Sequence, residues 1–389
     1  MIASVKKKGS PRTHGVASEF VGSKLHAVEM RRIHLSLVAP FETSFGVQTE
    51  RDVLLLKAIT SDGEGWGECV AGEEPTYSSE YVEGAQHVLI HHLLPRLLDQ
   101  PRLEAEDVGR VLRPVHGHQM AKAAIEMAIL DAQLRARGES FASYFGAVRP
   151  AVDAGVSVGI HKSIPELLET VGDYIEQGYR RIKLKIKPGW DVEPVRAVRE
   201  RFGKVPLQVD ANTAYSLSDA VHLALLDPFD LLLIEQPLPE EQVLAHAALA
   251  KVVRTPICLD ESITSAQAAA DAIELGACRI INIKPGRVGG YLEARRIHDL
   301  CAEHGLPVWM GGMLETGIGR AGNVAMAAMP NFTLPGDTSA SDRYFHRDVT
   351  APFVLRDGRL DVPKGPGLGV EVDLDFLDSI THWKQTVGA

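Results

Sequence analysis

The chain has 389 residues, of which 45% are hydrophobic and 24% are charged, and its formal net charge is -10. This length and composition are typical of a folded chain with about two domains. The negative charge argues against a protein that neutralises nucleic-acid phosphates or binds an anionic membrane surface. We therefore expect neither nucleic acid nor a membrane as a partner.

The cysteines and the N-terminus bear on the cellular compartment. The four cysteines, Cys69, Cys258, Cys278 and Cys301, show no C-x-x-C spacing, so neither a zinc site nor a dithiol is indicated. Sparse, scattered cysteines suit a reducing cytoplasm, and no apolar run approaches the ~18 residues of a membrane span. Residues 1–23 contain consecutive lysines without an apolar region behind them, so we expect a flexible extension rather than a secretory signal.

The first folded region is predicted to contain strands followed by helices. The segment Arg32 to Leu37 alternates polar and apolar residues, as a half-buried strand does, and Val53 to Leu56 predicts a buried neighbour. An alanine-rich helix is predicted from Ala121 to Arg137, ended by Gly138. This pattern predicts an α+β domain over residues 24–148.

From about Ala154 the pattern changes to short apolar strands that alternate with helices. A capping box at 163–166 predicts a helix ending near Gly178, and Asp191 predicts the start of the next helix. Eight strands are predicted, at 156–159, 181–186, 207–210, 231–235, 257–260, 279–283, 308–310 and 332–334. Such a series predicts a TIM-like (β/α)7β barrel over residues 149–350, capped by the α+β domain. We expect residues 351–389 to return to that cap.

Ionisable residues stand at the ends of five consecutive predicted strands. They are Lys185, Asp210, Glu235, Asp260 and Lys284, spaced by 25, 25, 25 and 24 residues. Since one βα unit has about this length, we expect all five on the carboxyl rim, where barrel enzymes place their active sites. Three converging carboxylates would repel one another unless a hard divalent cation held them. Asp210, Glu235 and Asp260 are therefore predicted to bind Mg²⁺ or Mn²⁺.

The two flanking lysines suit acid–base chemistry. A free lysine has a pKa of about 10.4, too high for an efficient base, but burial and neighbouring cations lower it. Lys183 and the metal would act in this way on Lys185, and Arg287, one helical turn further on, would act on Lys284. Because strands two and six lie on opposite sides of a barrel, the two lysines could address both faces of a planar enolate. The metal would stabilise that enolate after proton removal from the carbon next to a carboxylate.

These residues resemble the muconate-lactonising group of the enolase superfamily, and most closely its N-succinylamino-acid racemase and o-succinylbenzoate synthase subfamily. The motifs that carry the resemblance are Lys183-Leu184-Lys185, Asp210-Ala211-Asn212, Glu235-Gln236-Pro237, Asp260-Glu261-Ser262 and Lys284-Pro285-Gly286-Arg287. The resemblance supports the metal ligands given above and implies that Lys185 and Lys284 are the acid/base pair. It also implies that Lys183 holds the substrate carboxylate, and that Arg287 and Glu261 tune pKa values from behind the site. The pocket would be lined by Ser157, Asn212, Gly312, Met313 and Leu314, with segments 40–46 and 67–72 of the cap closing over the acyl group.

The resemblance implies an isomerase that racemises N-acyl amino acids, in particular N-succinyl ones, by two-base removal and return of the α-proton. The alternative is a lyase, the o-succinylbenzoate synthase of menaquinone biosynthesis, since both reactions begin with the same proton abstraction and one enzyme could perform both. A dipeptide epimerase is disfavoured because Asp337-Thr338-Ser339 lacks the D-x-D of those relatives. A Schiff-base role for Lys284 would leave the three carboxylates unused, and a non-catalytic module would be expected to have lost one of the five residues. We expect a cytoplasmic homo-oligomer that acts on a small-molecule carboxylate.

Overall fold

The computed structural model describes residues 22–388. The predicted extension, residues 1–23, lies outside the described residues except for its last two positions. Of these, Ser23 exchanges two backbone hydrogen bonds with Leu103, at N···O distances of 3.1 and 2.8 Å. None of the helices within residues 22–388 combines the length and the apolar character that crossing a bilayer requires.

Three antiparallel strands and five helices form the first folded region. They are β1 (Leu25–Thr43), β2 (Gly46–Thr60), β3 (Gly63–Cys69), α1 (Val82–Val88), α2 (Leu94–Leu98), α3 (Ala105–Leu112), α4 (Gln119–Arg137) and α5 (Phe141–Phe145), with a π-helical turn at Leu89–Leu93. Helix α4 ends before Gly138, whose φ of 66° is left-handed, as the sequence predicts. It packs closely on β3 because two glycines face it: a Cβ at Gly65 would lie 2.1 Å from the Ala132 nitrogen, and one at Gly67 2.1 Å from the Ala124 oxygen.

A short strand, β4 (Ala151–Asp153), leads into seven parallel strands that neighbour one another in chain order. They are β5 (Gly155–Val158), β6 (Arg181–Lys185), β7 (Leu207–Asp210), β8 (Ile234–Glu235), β9 (Ile257–Leu259), β10 (Ile280–Ile283) and β11 (Val308–Met310). The helices among and after them are α6 (Ile164–Glu176), α7 (Val192–Phe202), α8 (Ala220–Leu223), α9 (Val243–Leu249), α10 (Ala266–Glu274), α11 (Pro285–Val288), α12 (Tyr291–Glu303) and α13 (Gly317–Ala327). The Ser163 half of the predicted capping box is confirmed, since Ser163 accepts from the Glu166 N–H at the start of α6. The predicted start of α7 is confirmed as well, because Asp191 accepts from the Val192 N–H.

The predicted eighth strand, 332–334, is wrong as a strand, although its segment occupies the eighth position. It makes only isolated parallel bridges, from Phe332 to Val308 and from Gly336 to Ala154. A continuous ladder is interrupted because Pro335 has no N–H to donate. The gap between β11 and β5 is still spanned, since the Asp337 N–H donates to the Met310 oxygen at 2.8 Å and the Gly155 N–H to the Gly336 oxygen at 2.7 Å. The barrel is thus closed through irregular backbone.

The C-terminal part of the chain contributes β12 (Arg359–Asp361), which pairs with β4, then α14 (Leu374–Ile380) and β13 (Thr381–Gly388). Strand β13 pairs antiparallel with β1, so the first sheet has the order β13-β1-β2-β3. The two ends of the described chain therefore meet in one sheet, with Ala27 opposite Gly388. The domain boundaries given above stay predictions.

Two buried carboxylates from the first region cap helices that follow barrel strands. Glu68, at the end of β3, accepts from the Thr316 and Gly319 N–H groups at 3.0 and 2.9 Å, at the start of α13. Glu126, on α4, accepts from the Leu292 N–H at 3.1 Å, at the start of α12. The N-cap position of α12 is Gly290, where a Cβ would lie 2.1 Å from a Glu126 oxygen. A distant glutamate thus satisfies helix N–H groups that are usually capped by a local side chain.

Glu126→Gln is expected to flatten the pH dependence of stability. Burial raises the pKa of Glu126 from 4.5 to about 8, against the opposing effect of the Leu292 and Tyr291 N–H groups. Between these values the unfolded chain loses the proton while the folded chain keeps it, so this group destabilises the fold as pH rises. The melting temperature of the wild type, measured against pH, should therefore fall more steeply from about pH 5 to 8 than that of the variant. The exposed Glu176 offers a control, because Glu176→Gln should follow the wild type; parallel curves for all three proteins would contradict the expectation.

Candidate active site

The five predicted rim residues lie together at the carboxyl ends of β6 to β10. Lys185, Asp210 and Glu235 are the last residues of β6, β7 and β8, and Asp210 is the register partner of both Lys185 and Glu235. Asp260 and Lys284 directly follow β9 and β10. Each of the five residues is buried, with no more than 7% of its surface exposed. The repeat length in the sequence therefore places them at one height, as predicted.

Lys185 and Lys183 have different surroundings, although both belong to β6. The Lys185 ammonium donates to an Asp210 oxygen at 2.7 Å and to the Asn212 side-chain oxygen at 2.6 Å. The Lys183 ammonium donates to Glu235 at 3.1 Å and to Asp337 at 2.5 Å. Lys183 is thus enclosed by carboxylates, whereas Lys185 has one carboxylate and one neutral amide.

Lys284 lies among residues from both regions of the chain. Its ammonium donates to an Asp260 oxygen at 2.8 Å and to the Tyr77 hydroxyl at 3.0 Å. Arg287 pairs with the other Asp260 oxygen and donates to the backbone oxygens of Ile263 and Asn282 at 2.8 Å each. Arg287 therefore shares a carboxylate with Lys284, which agrees with its predicted location behind the site.

The crowding of charges shifts several pKa values. Burial alone would lower the pKa of Lys183, but Asp337, Glu235 and Asp210 outweigh it and raise the value, so this lysine stays charged. Burial is likewise outweighed at Lys284, whose pKa is raised by Tyr77, Glu261 and Glu235. This direction is opposite to the lowering predicted for Lys284, because Tyr77 and the two glutamates outweigh the effect of burial.

The carboxylates respond unequally to the same surroundings. Burial opposes ionisation of Asp210, but Lys185 and Lys183 hold its pKa well below the usual range. Burial and the charge of Asp210 raise the pKa of Glu235, and raise that of Glu261 to about 7. The lysines present therefore do not fully compensate the negative charge at this rim.

A cavity of about 400 Å³ opens above the rim. Its walls include both Lys185 and Lys284 and all six predicted substrate-contacting residues: Ser157, Lys183, Asn212, Gly312, Met313 and Leu314. The predicted cap segments contribute Phe41, Thr43, Phe45, Gly46 and Gly72. Glu261 lies behind this wall and accepts from the Asn212 amide at 2.9 Å. The structure thus brings the predicted acid/base and substrate-contacting residues together around one space, whereas Asp210, Glu235 and Asp260 do not line it. The roles of all these residues stay predictions.

Three residues that line this cavity were not predicted from the sequence as members of the site. Tyr77 and Arg51 line the cavity from the first region, and Asp337 lines it from the segment that closes the barrel. Arg51 is 3% exposed; one of its terminal nitrogens donates to the Val70 oxygen at 3.3 Å, and its Nε is buried without a hydrogen-bond partner. Asp337 also accepts from Arg181 at 2.9 Å. Only Asp337 was within reach of sequence reasoning, because it belongs to a motif near the eighth position.

The donor chemistry of the rim carboxylates fits a hard divalent cation, although Asp210, Glu235 and Asp260 do not bring one oxygen each to within 4.8 Å of one another. Asp210, Glu235 and Asp260 offer only oxygen donors, at most 1% exposed, from three adjacent strands. Beside them Glu261 has a buried oxygen, Oε2, without a hydrogen-bond partner. An orphaned buried carboxylate oxygen next to three buried carboxylates indicates that further positive charge is needed here. The donor chemistry therefore suits Mg²⁺ or Mn²⁺ rather than zinc.

A parallel barrel with an acidic rim, flanking lysines and an α+β cap defines a barrel enzyme of the enolase type. Residues 166–376 match the family described as enolase C-terminal domain-like, and residues 27–146 match the N-terminal domain of mandelate racemase / muconate lactonizing enzyme. The chain therefore belongs to the enolase superfamily, in the muconate-lactonising group.

Individual relatives narrow this assignment. An N-succinylamino acid racemase from Amycolatopsis sp is 64% identical over 94% of this chain and 100% of its own. An o-succinylbenzoate synthase from Geobacillus kaustophilus is 47% identical over 92% of this chain and 96% of its own. A solved structure of an enolase superfamily member from Listeria innocua superposes with a TM-score of 0.90, at 39% identity, over 94% of this chain and 99% of that chain. The similarity thus extends over both regions of the fold.

Proposed function

We propose that this protein racemises N-acyl amino acids, and N-succinyl amino acids in particular, with Lys185 and Lys284 as the two acid/base groups. The observation that carries the proposal is that both ammonium groups line one cavity, from the second and sixth barrel strands, with three buried carboxylates on the strands between. Racemisation requires removal of the α-proton on one face and delivery of a proton on the other, which two groups on opposite walls can provide. The 64% identity to an N-succinylamino acid racemase supports the acyl group named here.

We infer that Asp210, Glu235 and Asp260 hold Mg²⁺ or Mn²⁺, with magnesium as the ion that the superfamily implies. When bound, such an ion would stabilise the charge developing on the substrate carboxylate and offset the negative charge that raises the pKa of Lys284. Lys183, kept charged by Asp337 and Glu235, would donate to the substrate carboxylate rather than act as a base. Asn212 orients Lys185 and Tyr77 orients Lys284. The tuning of Lys284 by Arg287 stays a prediction.

The second candidate is dehydration to o-succinylbenzoate, which the 47% identity to a synthase of that name favours. Both reactions begin with removal of a proton next to a carboxylate, so one site could serve both. A side-by-side assay of N-succinyl amino acid racemisation and o-succinylbenzoate formation tests the proposal, and we expect racemisation to be detected. Absence of both activities with Mg²⁺ present would contradict it. The small-molecule carboxylate substrate, the homo-oligomer and the cytoplasmic location are parts of this proposal.

Arg51→Met is expected to impair N-succinyl substrates more than N-acetyl ones. The guanidinium is buried at the cavity wall with an unsatisfied Nε, and a second carboxylate on the acyl group would give it a partner. A hydrogen bond to a charged group contributes about 1.5–3 kcal/mol, so KM for the N-succinyl substrate should rise roughly 10- to 100-fold. The KM for the N-acetyl substrate should change much less, because that acyl group carries no charge.

The measurement also needs to separate binding from folding, because Arg51 faces the buried Glu68 and Glu315. Arg51→Lys keeps the charge and serves as the matched control, with partial recovery of the N-succinyl KM expected. The melting temperature of both variants should be recorded beside the kinetics. Equal losses on the two substrates, together with a lowered melting temperature, would show that Arg51 is a structural partner of those glutamates.

A further inference from the structure

A second cluster of metal-ligating side chains lies on the first sheet, outside the barrel. His34 on β1, Asp52 on β2 and His382 on β13 bring one ligand atom each to within 4.8 Å of one another, the one such group of three among residues 22–388. Asp52 is 3% exposed, whereas the side chains of His34 and His382 are 55% and 37% exposed. A buried carboxylate below two accessible imidazoles is open to an ion from solvent.

The backbone directs all three side chains to the same face. His34 and Asp52 are direct register partners across β1 and β2, so they share a face of the sheet. His382 has no partner of its own, because Arg32 pairs with Trp383 and Ile33 with Thr381. His382 is thus the extra residue of a β-bulge, a device that redirects one side chain and recurs beside functional sites. Without the bulge, the alternation of side chains along β13 would place His382 on the opposite face of the sheet from His34.

The distances already approach those of a coordinated ion. The Nε2 atoms of His382 and His34 lie 3.3 and 3.7 Å from different oxygens of Asp52. Ligands on a tetrahedral zinc ion, with bonds of about 2.0–2.1 Å, stand about 3.4 Å apart. The centroids of the two imidazole rings are 4.2 Å apart and the ring planes are inclined by 37°. The two rings are therefore close enough to bind one ion together.

Arg32 is a cation that competes with an ion for Asp52. It donates to both Asp52 oxygens through Nε, at 3.2 and 3.1 Å, and one of its terminal nitrogens also pairs with Asp52. Its other terminal nitrogen also approaches Glu83 at 3.6 Å and Gln86 at 3.4 Å, so the guanidinium has a second set of acceptors on α1. Each carboxylate oxygen has more than one lone pair, so Asp52 can bind an ion while it also accepts from Arg32.

We propose that His34, Asp52 and His382 form a binding site for a first-row transition ion such as Zn²⁺, which would join the C-terminal strand to the first sheet. Two imidazoles and one carboxylate favour zinc over magnesium, so the site differs in ligand chemistry from the oxygen-only rim of the barrel. Water would complete the coordination on the exposed side. Because β13 contributes one ligand, the ion stabilises the attachment of the C-terminus to the fold.

Zinc binding to the full chain, measured by equilibrium dialysis with excess Mg²⁺ present, tests this site. The wild type is expected to retain one more zinc ion per chain than either His34→Ala or His382→Ala. His26→Ala is the matched control, since His26 is also an exposed histidine on β1, at another irregularity of the strand pairing. It should bind as much zinc as the wild type. Zinc bound at the barrel rim should be the same in the wild type and the three variants, so it cancels in the comparison. Equal zinc counts in all four would overturn the proposal.

Two further readouts separate a shared ion from a mere polar contact. With Cu²⁺ as the probe, the electron paramagnetic resonance spectrum of the wild type should show hyperfine coupling to two imidazole nitrogens, and His382→Ala should lose it. Zinc should raise the melting temperature of the wild type and of His26→Ala but not that of His382→Ala. An unchanged copper spectrum in His382→Ala would likewise refute the site. Retained Mg²⁺-dependent activity in the histidine variants would show that they are folded.

Discussion

Lys185→Ala and Lys284→Ala are each expected to reduce racemisation by at least about 100-fold, the lower range for losing a general acid or base. Each variant keeps one of the two groups, and therefore keeps the ability to remove a proton from one face. In deuterated water, Lys185→Ala should still exchange the α-hydrogen of one enantiomer without inversion. Lys284→Ala should exchange the α-hydrogen of the other enantiomer. Nuclear magnetic resonance of each enantiomer measures this exchange directly.

The structure makes the two half-reactions separable because the lysines have no partner in common. Lys185 is held by Asp210 and Asn212, whereas Lys284 is held by Asp260 and Tyr77. Loss of one ammonium group should therefore leave the position of the other intact. Lys251→Ala, an exposed position after α9, is a suitable control and should racemise as the wild type does. A single variant at Lys185 or Lys284 that still racemises efficiently would refute the two-base mechanism.

Removal of divalent cations is expected to abolish activity, and Mg²⁺ or Mn²⁺ should restore it. At the level of single residues, Glu235→Gln should weaken metal binding by more than about 10-fold, the lower end of losses seen even for outer-shell partners of metal ligands. The substitution keeps the size of the side chain and removes one anionic oxygen donor. Calorimetric titration with Mn²⁺ measures the change, and full activity after exhaustive chelation would contradict the metal assignment.

Glu261→Gln provides the matched comparison for Glu235→Gln. Both residues are buried glutamates of the same rim, but Glu261 is bonded to Asn212 and lies behind the cavity wall. We expect Glu261→Gln to bind the ion more tightly than Glu235→Gln does, because only Glu235 is predicted to be a ligand. The reverse order of affinities would exchange the roles of the two residues, while leaving a metal site at this rim.

The part of the site that follows the barrel repeat was predictable from the sequence. Equal spacing along the chain becomes equal height on the rim, because each βα unit advances the chain by one strand. The family motifs then added residues such as Asn212 and Met313 that spacing alone does not reveal. The eighth strand was predicted from its apolar residues, but Pro335 and the absence of a hydrogen-bonded ladder leave only bridges there.

Two residues that the first region contributes to the cavity outside the predicted cap segments, Tyr77 and Arg51, were beyond sequence reasoning for a physical reason. Tyr77 lies in the loop between β3 and α1, and its hydroxyl reaches Asp260 at 3.3 Å across 183 positions of sequence. No repeat or helical period links those positions, so only the packing of the two regions brings them together. Arg51 poses the same problem, since a charged residue within a strand usually faces solvent. Here the cavity wall buries it.

The carboxylates of Glu68 and Glu126 constrain how this protein could be recombined. Each completes the first turn of a helix that belongs to the other region of the fold. A chimaera that took residues before β4 from a distant homologue would inherit the segments predicted to close over the substrate. If that homologue lacks the two glutamates, α12 and α13 lose acceptors for their first N–H groups. Exchange of specificity between homologues therefore depends on carrying these two glutamates along with the loops. A first region chosen only for its substrate-contacting residues would lack the hydrogen bonds that attach it to the barrel helices.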